Sequence, residues 1–225
     1  MKPIIVFDLD GTLADTAPDL MATLNMLLAR EGLATLPVER AGSMIGAGAK
    51  ALIARGFESA GRELSSERHE ALFQDFIAHY GENICVGTRL FPGVTEALDV
   101  LEAAGFDFAV CTNKMERQSK MLLEALGLAP RFSAICGRDT FAFHKPDPRH
   151  LTQTIDMAGG DRARAVMVGD SLTDIATAQA ARVPVVAVPF GYSDRPVAEL
   201  GPDLVIDHFD DLPLAIHELL RVRVA

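Results

Sequence analysis

Pro3-Ile4-Ile5-Val6-Phe7 is an unbroken apolar run that stops on Asp8. A strand with one wet face alternates apolar and polar residues. A continuous run suits a strand covered on both faces, as in a parallel sheet. Parallel strands need crossovers between them, usually helices. The second half of the chain supplies such an alternation. Phe106 to Cys111 reads as a strand, Glu116 to Leu126 as a helix stopped by Gly127, and Ser133 to Cys136 as a short strand. Pro148 to Met157 reads as a helix closed by Gly159-Gly160, Ala165 to Val168 as a strand, and Leu172 to Ala181 as a helix. Pro184 to Val188 and Leu204 to Ile206 read as strands, and Leu212 to Arg221 as a terminal helix. This order predicts an α/β fold with a doubly wound parallel sheet and a Rossmann-like core.

The region from Ala17 to Gly87 breaks the alternation, because no strand is evident in it. Leu20, Leu24, Leu27 and Leu28 fall on one helix face that Gly32 ends. Glu67 to Tyr80 is a second helix, with Leu72, Phe73, Phe76 and Ile77 on one side. The expected organisation is a core made of residues 1–15 and 88–225, with residues 16–87 inserted as a helical cap. The sheet is expected to resume near Phe91-Pro92-Gly93.

Polar clusters follow the buried strands. Asp8-Leu9-Asp10-Gly11-Thr12 follows the first, and open α/β sheets place their ligands at strand carboxyl ends. By itself this cluster fits a catalytic carboxylate pair and a plain strand-end turn equally well, since turns favour Asp and Gly. Other clusters tip the balance. Thr112-Asn113-Lys114 ends another strand, and Gly169-Asp170-Ser171-Leu172-Thr173-Asp174 ends a third. His144-Lys145-Pro146-Asp147-Pro148 lies between them. A parallel sheet gathers all of these at one edge. Carboxylates gathered there repel unless a cation joins them, and hard oxygen ligands in an open site suit Mg2+. A hydroxyl and a lysine beside that ion form a phosphoryl-binding set.

This constellation resembles the haloacid dehalogenase superfamily of phosphatases over nearly the whole chain. Its four motifs occur in order as Asp8-Leu9-Asp10-Gly11-Thr12, Thr112, Lys145, and Gly169-Asp170 with Asp174. The inserted helices sit where one branch of that superfamily carries its cap. Within the branch, Ile45-Gly46-Ala47-Gly48, Phe91-Pro92-Gly93-Val94, Thr112-Asn113-Lys114 and Phe190-Gly191-Tyr192 are most similar to the phosphoglycolate phosphatases. The resemblance implies Asp8 as nucleophile, Asp10 as general acid and base, and phosphoryl oxygens held by Thr112, the Asn113 backbone N–H and Lys145. It also implies Mg2+ held by Asp8, the Asp10 carbonyl and Asp170, with Asp174 joining or supporting that shell. A small phosphomonoester, 2-phosphoglycolate first, is the implied substrate. Arg40, Lys50, Arg55 and Lys114 are the cations that could meet its carboxylate. The same branch also holds sugar-phosphate phosphatases, pyrophosphatases and β-phosphoglucomutase. A phosphorelay receiver module shares the acid, hydroxyl and lysine set, but it is about half this length and carries its acceptor on a middle strand.

Composition narrows the partners. With 21 Lys and Arg against 31 Asp and Glu, the net charge of −10 disfavours nucleic acid and anionic lipid. The longest stretch without a charged residue, Val183 to Ser193, is eleven residues, well short of the roughly 20 that a membrane span needs. No secretion signal is evident at the N-terminus, and Cys85, Cys111 and Cys136 show no paired spacing. Free buried thiols in a cytoplasmic monomer or homodimer are expected. Gly46 to Ala51 matches GxGxxA but follows no strand, so it reads as a cap loop. Asp15 is expected to cap the first inserted helix or orient its hinge, and Asp147 to shape the Pro146–Pro148 loop. His144 is placed near the site. The other histidines, His150 included, are expected at the surface or as caps, and Met21, Met26, Met121 and Met167 as core filler.

Overall fold

The computed structural model describes residues 1–222. In chain order its elements are β1 (Lys2–Phe7), β2 (Ala14–Asp15), α1 (Ala17–Arg30), α2 (Ala49–Ser59), α3 (Ser66–Glu82), β3 (Arg89–Leu90), α4 (Val94–Ala103), β4 (Asp107–Cys111), α5 (Glu116–Ala125) and β5 (Phe132–Cys136). There follow α6 (Pro148–Met157), β6 (Gly160–Gly169), α7 (Leu172–Ala181), β7 (Val185–Ala187), β8 (Leu204–Val205) and α8 (Leu212–Val222), with short 3₁₀ turns between several of them.

Six strands form one parallel sheet in the order β5-β4-β1-β6-β7-β8. The chain winds outward from β1 through β4 to β5, then returns to lay β6 on the other side of β1. That reversal makes a crevice at the carboxyl ends of β1 and β6, where doubly wound sheets bind ligands. The apolar run of β1 feeds both faces. Ile5 and Phe7 pack with α4, α5 and α8, while Ile4 and Val6 pack with α6 and α7. This is the period-2 alternation of a strand buried twice over.

The sheet resumes later than the sequence suggests. Pro92-Gly93 opens α4, and the next strand of the main sheet begins at Asp107. Arg89–Leu90 pairs antiparallel with Ala14–Asp15 in a separate small ribbon. The helical pattern is nevertheless written in α4, whose Val94, Ala97, Leu98 and Leu101 face the core at i, i+3, i+4 and i+7.

Between the ribbon strands, α1, α2 and α3 pack on each other around Leu24, Leu27, Ile53, Phe57, Leu72 and Phe76. The chain enters this layer beyond β2 and leaves it before β3, so the ribbon straps its two connections together. Asp19, in the first turn of α1, completes the strap. Its carboxylate accepts the backbone N–H groups of Val86, Gly87 and Thr88 and the Thr88 hydroxyl, all within 3.0 Å. Asp15 accepts the Ala17 N–H at 3.2 Å and so caps α1 from just outside it.

Two side-chain expectations change. His150 lies fully buried on α6 instead of at the surface. Its Nδ1 accepts the Lys145 backbone N–H at 3.2 Å, so the loop before α6 closes back over it. Met21 and Met167 are core residues, whereas Met26 and Met121 are only half-buried. Cys111 and Cys136 are buried free thiols, and Cys85 is free but half-buried. No helix among the described residues is long and apolar enough to cross a membrane.

Candidate active site

The crevice gathers the polar clusters. Asp8 follows β1, Thr112 follows β4, Asp170 follows β6, and Lys145 comes from the loop before α6, whose Lys145–Pro146 peptide is cis. Asp147 caps α6 by accepting the Arg149 N–H at 2.9 Å, which fixes where this loop ends. His144 is half-buried beside it and does not line the pocket described below.

Lys145 is the centre of charge. Its ammonium lies 2.9 Å from Asp8 Oδ1 and 2.5 Å from Asp174 Oδ1, with all three side chains nearly or wholly buried. Burial works against the ammonium, but Asp174 and then Asp8 outweigh it and raise the Lys145 pKa. Asp8 moves the other way from an ordinary ion-paired carboxylate. Burial pushes it up to about 6, Lys145 opposes the rise, and Asp174 adds to it. Asp170 is also pushed well up, by burial and then by its neighbours Asp174 and Asp8.

Each carboxylate is held at fixed bearings. Asp170 Oδ1 accepts the Thr12 hydroxyl at 2.9 Å, and Oδ2 accepts the Tyr192 N–H at 2.6 Å. Gly11 is required beside it. With φ at +86°, a side chain there would be strained, and its Cβ would run into the Asp170 carboxylate and the Tyr192 ring. Asp174 spends Oδ1 on Lys145. Its Oδ2 receives the Ser171 N–H and hydroxyl as part of the capping box that starts α7.

Asp8, Asp170 and Asp174 each offer an oxygen within 4.8 Å of the others. Asp8 and Asp174 share the Lys145 ammonium, Asp170 is held by the neutral Thr12 hydroxyl and Tyr192 N–H, and burial, with the neighbouring carboxylates adding to it, raises the pKa values of Asp8 and Asp170. A hard divalent cation fits such an all-oxygen set.

Asp10 stands apart from this cluster. Both of its oxygens face the Lys114 ammonium, at 2.8 and 3.1 Å. Lys114 is itself buried and rests over the Tyr80 ring of α3, 4.4 Å from its centroid. Burial alone would lower the Lys114 pKa, but Asp10, with Tyr80 adding to it, more than reverses that. Thr112 is buried and accepts the Lys114 backbone N–H at 3.2 Å. The Asn113 amide donates to the Lys145 carbonyl at 3.2 Å and reaches Gly46 of the inserted layer at 3.5 Å. A pocket opens between sheet edge and inserted helices. Asp8, Asp10, Thr112 and Lys114 form its polar end, and Leu20, Ile45, Leu52 and Ile77 its apolar wall.

All the site residues read from the sequence thus meet at one edge. The inserted cations do not. Lys50 pairs with Glu70 at 2.6 Å, Arg55 donates to the Met44 carbonyl, Arg40 is exposed, and none of them lines this pocket. Sequence reasoning missed the parts played by Tyr80, Tyr192, Asp19 and His150. Their roles depend on partners 22 to 177 residues away or on burial, which local pattern does not carry; His150 alone has a near partner, five residues off.

Two acids, a hydroxyl and a buried lysine at the switch point of a doubly wound sheet are the residue set of a phosphoryl-transfer type of hydrolase. The chain belongs to the haloacid dehalogenase-like hydrolase family, which it matches over residues 5–188. It is 52% identical over 224 residues to a phosphoglycolate phosphatase of Mesorhizobium japonicum, covering 100% of this chain and 98% of that one. It is 49% identical to a phosphoglycolate phosphatase of Caulobacter vibrioides, covering 96% and 91% of the two chains. The crystal structure of a predicted phosphoglycolate phosphatase from Haemophilus somnus superposes with a TM-score of 0.89 at 33% identity, covering 95% of this chain and 97% of that one.

Proposed function

We propose that this hydrolase cleaves 2-phosphoglycolate to glycolate and phosphate through an aspartyl-phosphate on Asp8. The observation that carries the reading is the Lys145 ammonium shared between Asp8 and Asp174, next to a second acid, Asp10, that is paired elsewhere. The near full-length identity to phosphoglycolate phosphatases supports the choice of substrate.

An Asp8 oxygen attacks phosphorus and the bond to the ester oxygen breaks. Asp10 gives a proton to the leaving alkoxide, then takes one from the water that hydrolyses the intermediate. Lys145, the Thr112 hydroxyl and the Asn113 N–H hold the phosphoryl oxygens, where positioned charge does most of the work. Asp174, with both oxygens engaged, fixes the Lys145 ammonium. Mg2+ held by Asp8, Asp170 and the Asp10 carbonyl supplies charge neutralisation at the phosphoryl group when bound. Residues 16–87 act as the cap that closes over the leaving group, and residues 1–15 with 88–225 as the catalytic core. The acidic surface agrees with a small-molecule partner and a cytoplasmic setting.

A kinetic panel of small phosphomonoesters, with and without Mg2+, tests the reading. Preference for 2-phosphoglycolate with loss of turnover in EDTA is expected. Preference for a hexose phosphate or for pyrophosphate, or full turnover without a divalent ion, overturns it.

A further inference from the structure

We propose that Lys114 is the specificity-determining residue of the pocket, binding the carboxylate of the substrate, with the Tyr80 ring as its seat. This rests on the reading above and says how that substrate is told from uncharged esters.

Lys114 is the one cation lining the pocket among the described residues. The remaining wall beyond the phosphoryl end is apolar at Leu20, Ile45, Leu52 and Ile77, with Gln118 as a neutral amide, so a carboxylate entering there has no other cationic partner. The lysine is built in place. Its side chain is 5% exposed, its ammonium lies over the Tyr80 face, and Asp10 fixes its direction from the other side. An aromatic face favours a cation without consuming an N–H donor, so an ammonium held this way can still donate to an arriving anion. Tyr80 belongs to α3, and its own hydroxyl is buried without a hydrogen-bond partner. The inserted layer thus supplies the ring over which the Lys114 ammonium rests.

Chain lengths agree. A general acid delivers its proton over a hydrogen bond of about 2.6–3.2 Å. The ester oxygen at the moment of cleavage thus lies one hydrogen bond from Asp10, and Lys114 lies one hydrogen bond from Asp10 on its own side. In a phosphoester of a 2-hydroxy acid, the carboxylate carbon is two bonds from the ester oxygen. That short reach is what the Asp10–Lys114 pair spans. A longer sugar phosphate would place a neutral hydroxyl against the ammonium, which then keeps Asp10 as its only charged partner. The discrimination is then the difference between a buried cation that gains a second, substrate carboxylate and one that meets a neutral group.

The test is the ratio of kcat/KM for 2-phosphoglycolate to that for ethyl phosphate, which has the same length and no carboxylate. The ratio cancels any general loss passed through Asp10. Wild-type protein is expected to show a ratio of at least about ten. Lys114→Met should bring it to within about threefold of unity, and Lys114→Arg should restore most of it. Tyr80→Phe should keep the ratio, whereas Tyr80→Leu should lower it at least about threefold, a second arm should Lys114→Met fail to fold. A wild-type ratio near unity overturns the substrate reading and this assignment with it. A high wild-type ratio that survives Lys114→Met, or that survives Tyr80→Leu where the lysine variant is insoluble, overturns the assignment and leaves the substrate reading standing.

Discussion

The Tyr192 hydroxyl lies 2.6 Å from Asp15 Oδ1, joining the loop after β7 to the strand that leads into the inserted helices. The same hydroxyl accepts the Ala17 N–H at 2.8 Å, and the Tyr192 backbone N–H holds Asp170 Oδ2 at 2.6 Å. One residue therefore ties an acid of the site to the hinge of the helical layer, and its ring packs into that layer's apolar cluster. The Tyr192 phenol is pushed far up by burial and then by Asp15, so it stays protonated and donates.

Tyr192→Phe keeps the ring and the backbone bond to Asp170 but removes the donor to Asp15. A hydrogen bond to a charged group is worth about 1.5–3 kcal/mol, and the expected loss in unfolding free energy is of that order. Urea denaturation measures it. Mg2+ affinity by calorimetry should stay within about threefold, because Asp170 keeps its N–H. An unchanged denaturation midpoint would show that the bond contributes nothing to the folded state.

The strap at Asp19 makes a stronger claim. Its buried carboxylate satisfies three backbone N–H groups and one hydroxyl of the segment that leads into β3. Asp19→Ala leaves all four donors without that partner. Stability should fall by about 3 kcal/mol or more, since each unsatisfied buried group costs about 1–3 kcal/mol and some regain water. Thermal unfolding checks this. Asp19→Asn, which keeps an acceptor oxygen, should recover part of the loss.

The sheet and the acid cluster were legible because they are local. β1 announces its burial by an unbroken apolar run, and its Asp-Leu-Asp-Gly-Thr ending needs no distant partner to be noticed. α2 was not legible. Its interior Gly56 reads as a poor helix position, yet a Cβ there would press into Leu24 at 2.7 Å, so the glycine serves the close packing of α1 on α2. His150 failed for a related reason. Histidine is usually exposed, and only the fold reveals that burial holds this one neutral, with its pKa near 4, behind Lys145. The Asp10–Lys114 pair spans 104 residues, and no spacing rule connects the two.

Asp10→Asn tests the acid. General acid–base catalysis contributes about 10²–10⁴-fold, so kcat/KM on an alkyl phosphate should fall at least about 10²-fold. The loss should be much smaller with p-nitrophenyl phosphate, whose leaving group barely needs a proton. Equal losses on the two substrates would mean that Asp10 works only by holding Lys114 or the metal.

The acid cluster also predicts how Mg2+ changes stability with pH. The Asp8 carboxyl titrates near 6 in the folded protein, against 3.8 for the unperturbed side chain. Between those values the folded state holds the proton and the unfolded state has lost it. More protons on the folded side means that this group's contribution to stability falls as pH rises from about 4 through 6. The cost, fully expressed above the folded value, is on the order of 3 kcal/mol for a shift of about two units. Asp170 is shifted in the same direction and adds to it. A divalent cation among these carboxylates removes the repulsion, but it must displace their protons to bind. At one fixed Mg2+ concentration the rise in Tm should therefore be larger near pH 7.5 than about pH 5. Differential scanning fluorimetry reads both values, and Asp170→Asn should shrink the rise at the higher pH. Equal rises at the two pH values would mean that the ion binds somewhere other than this cluster.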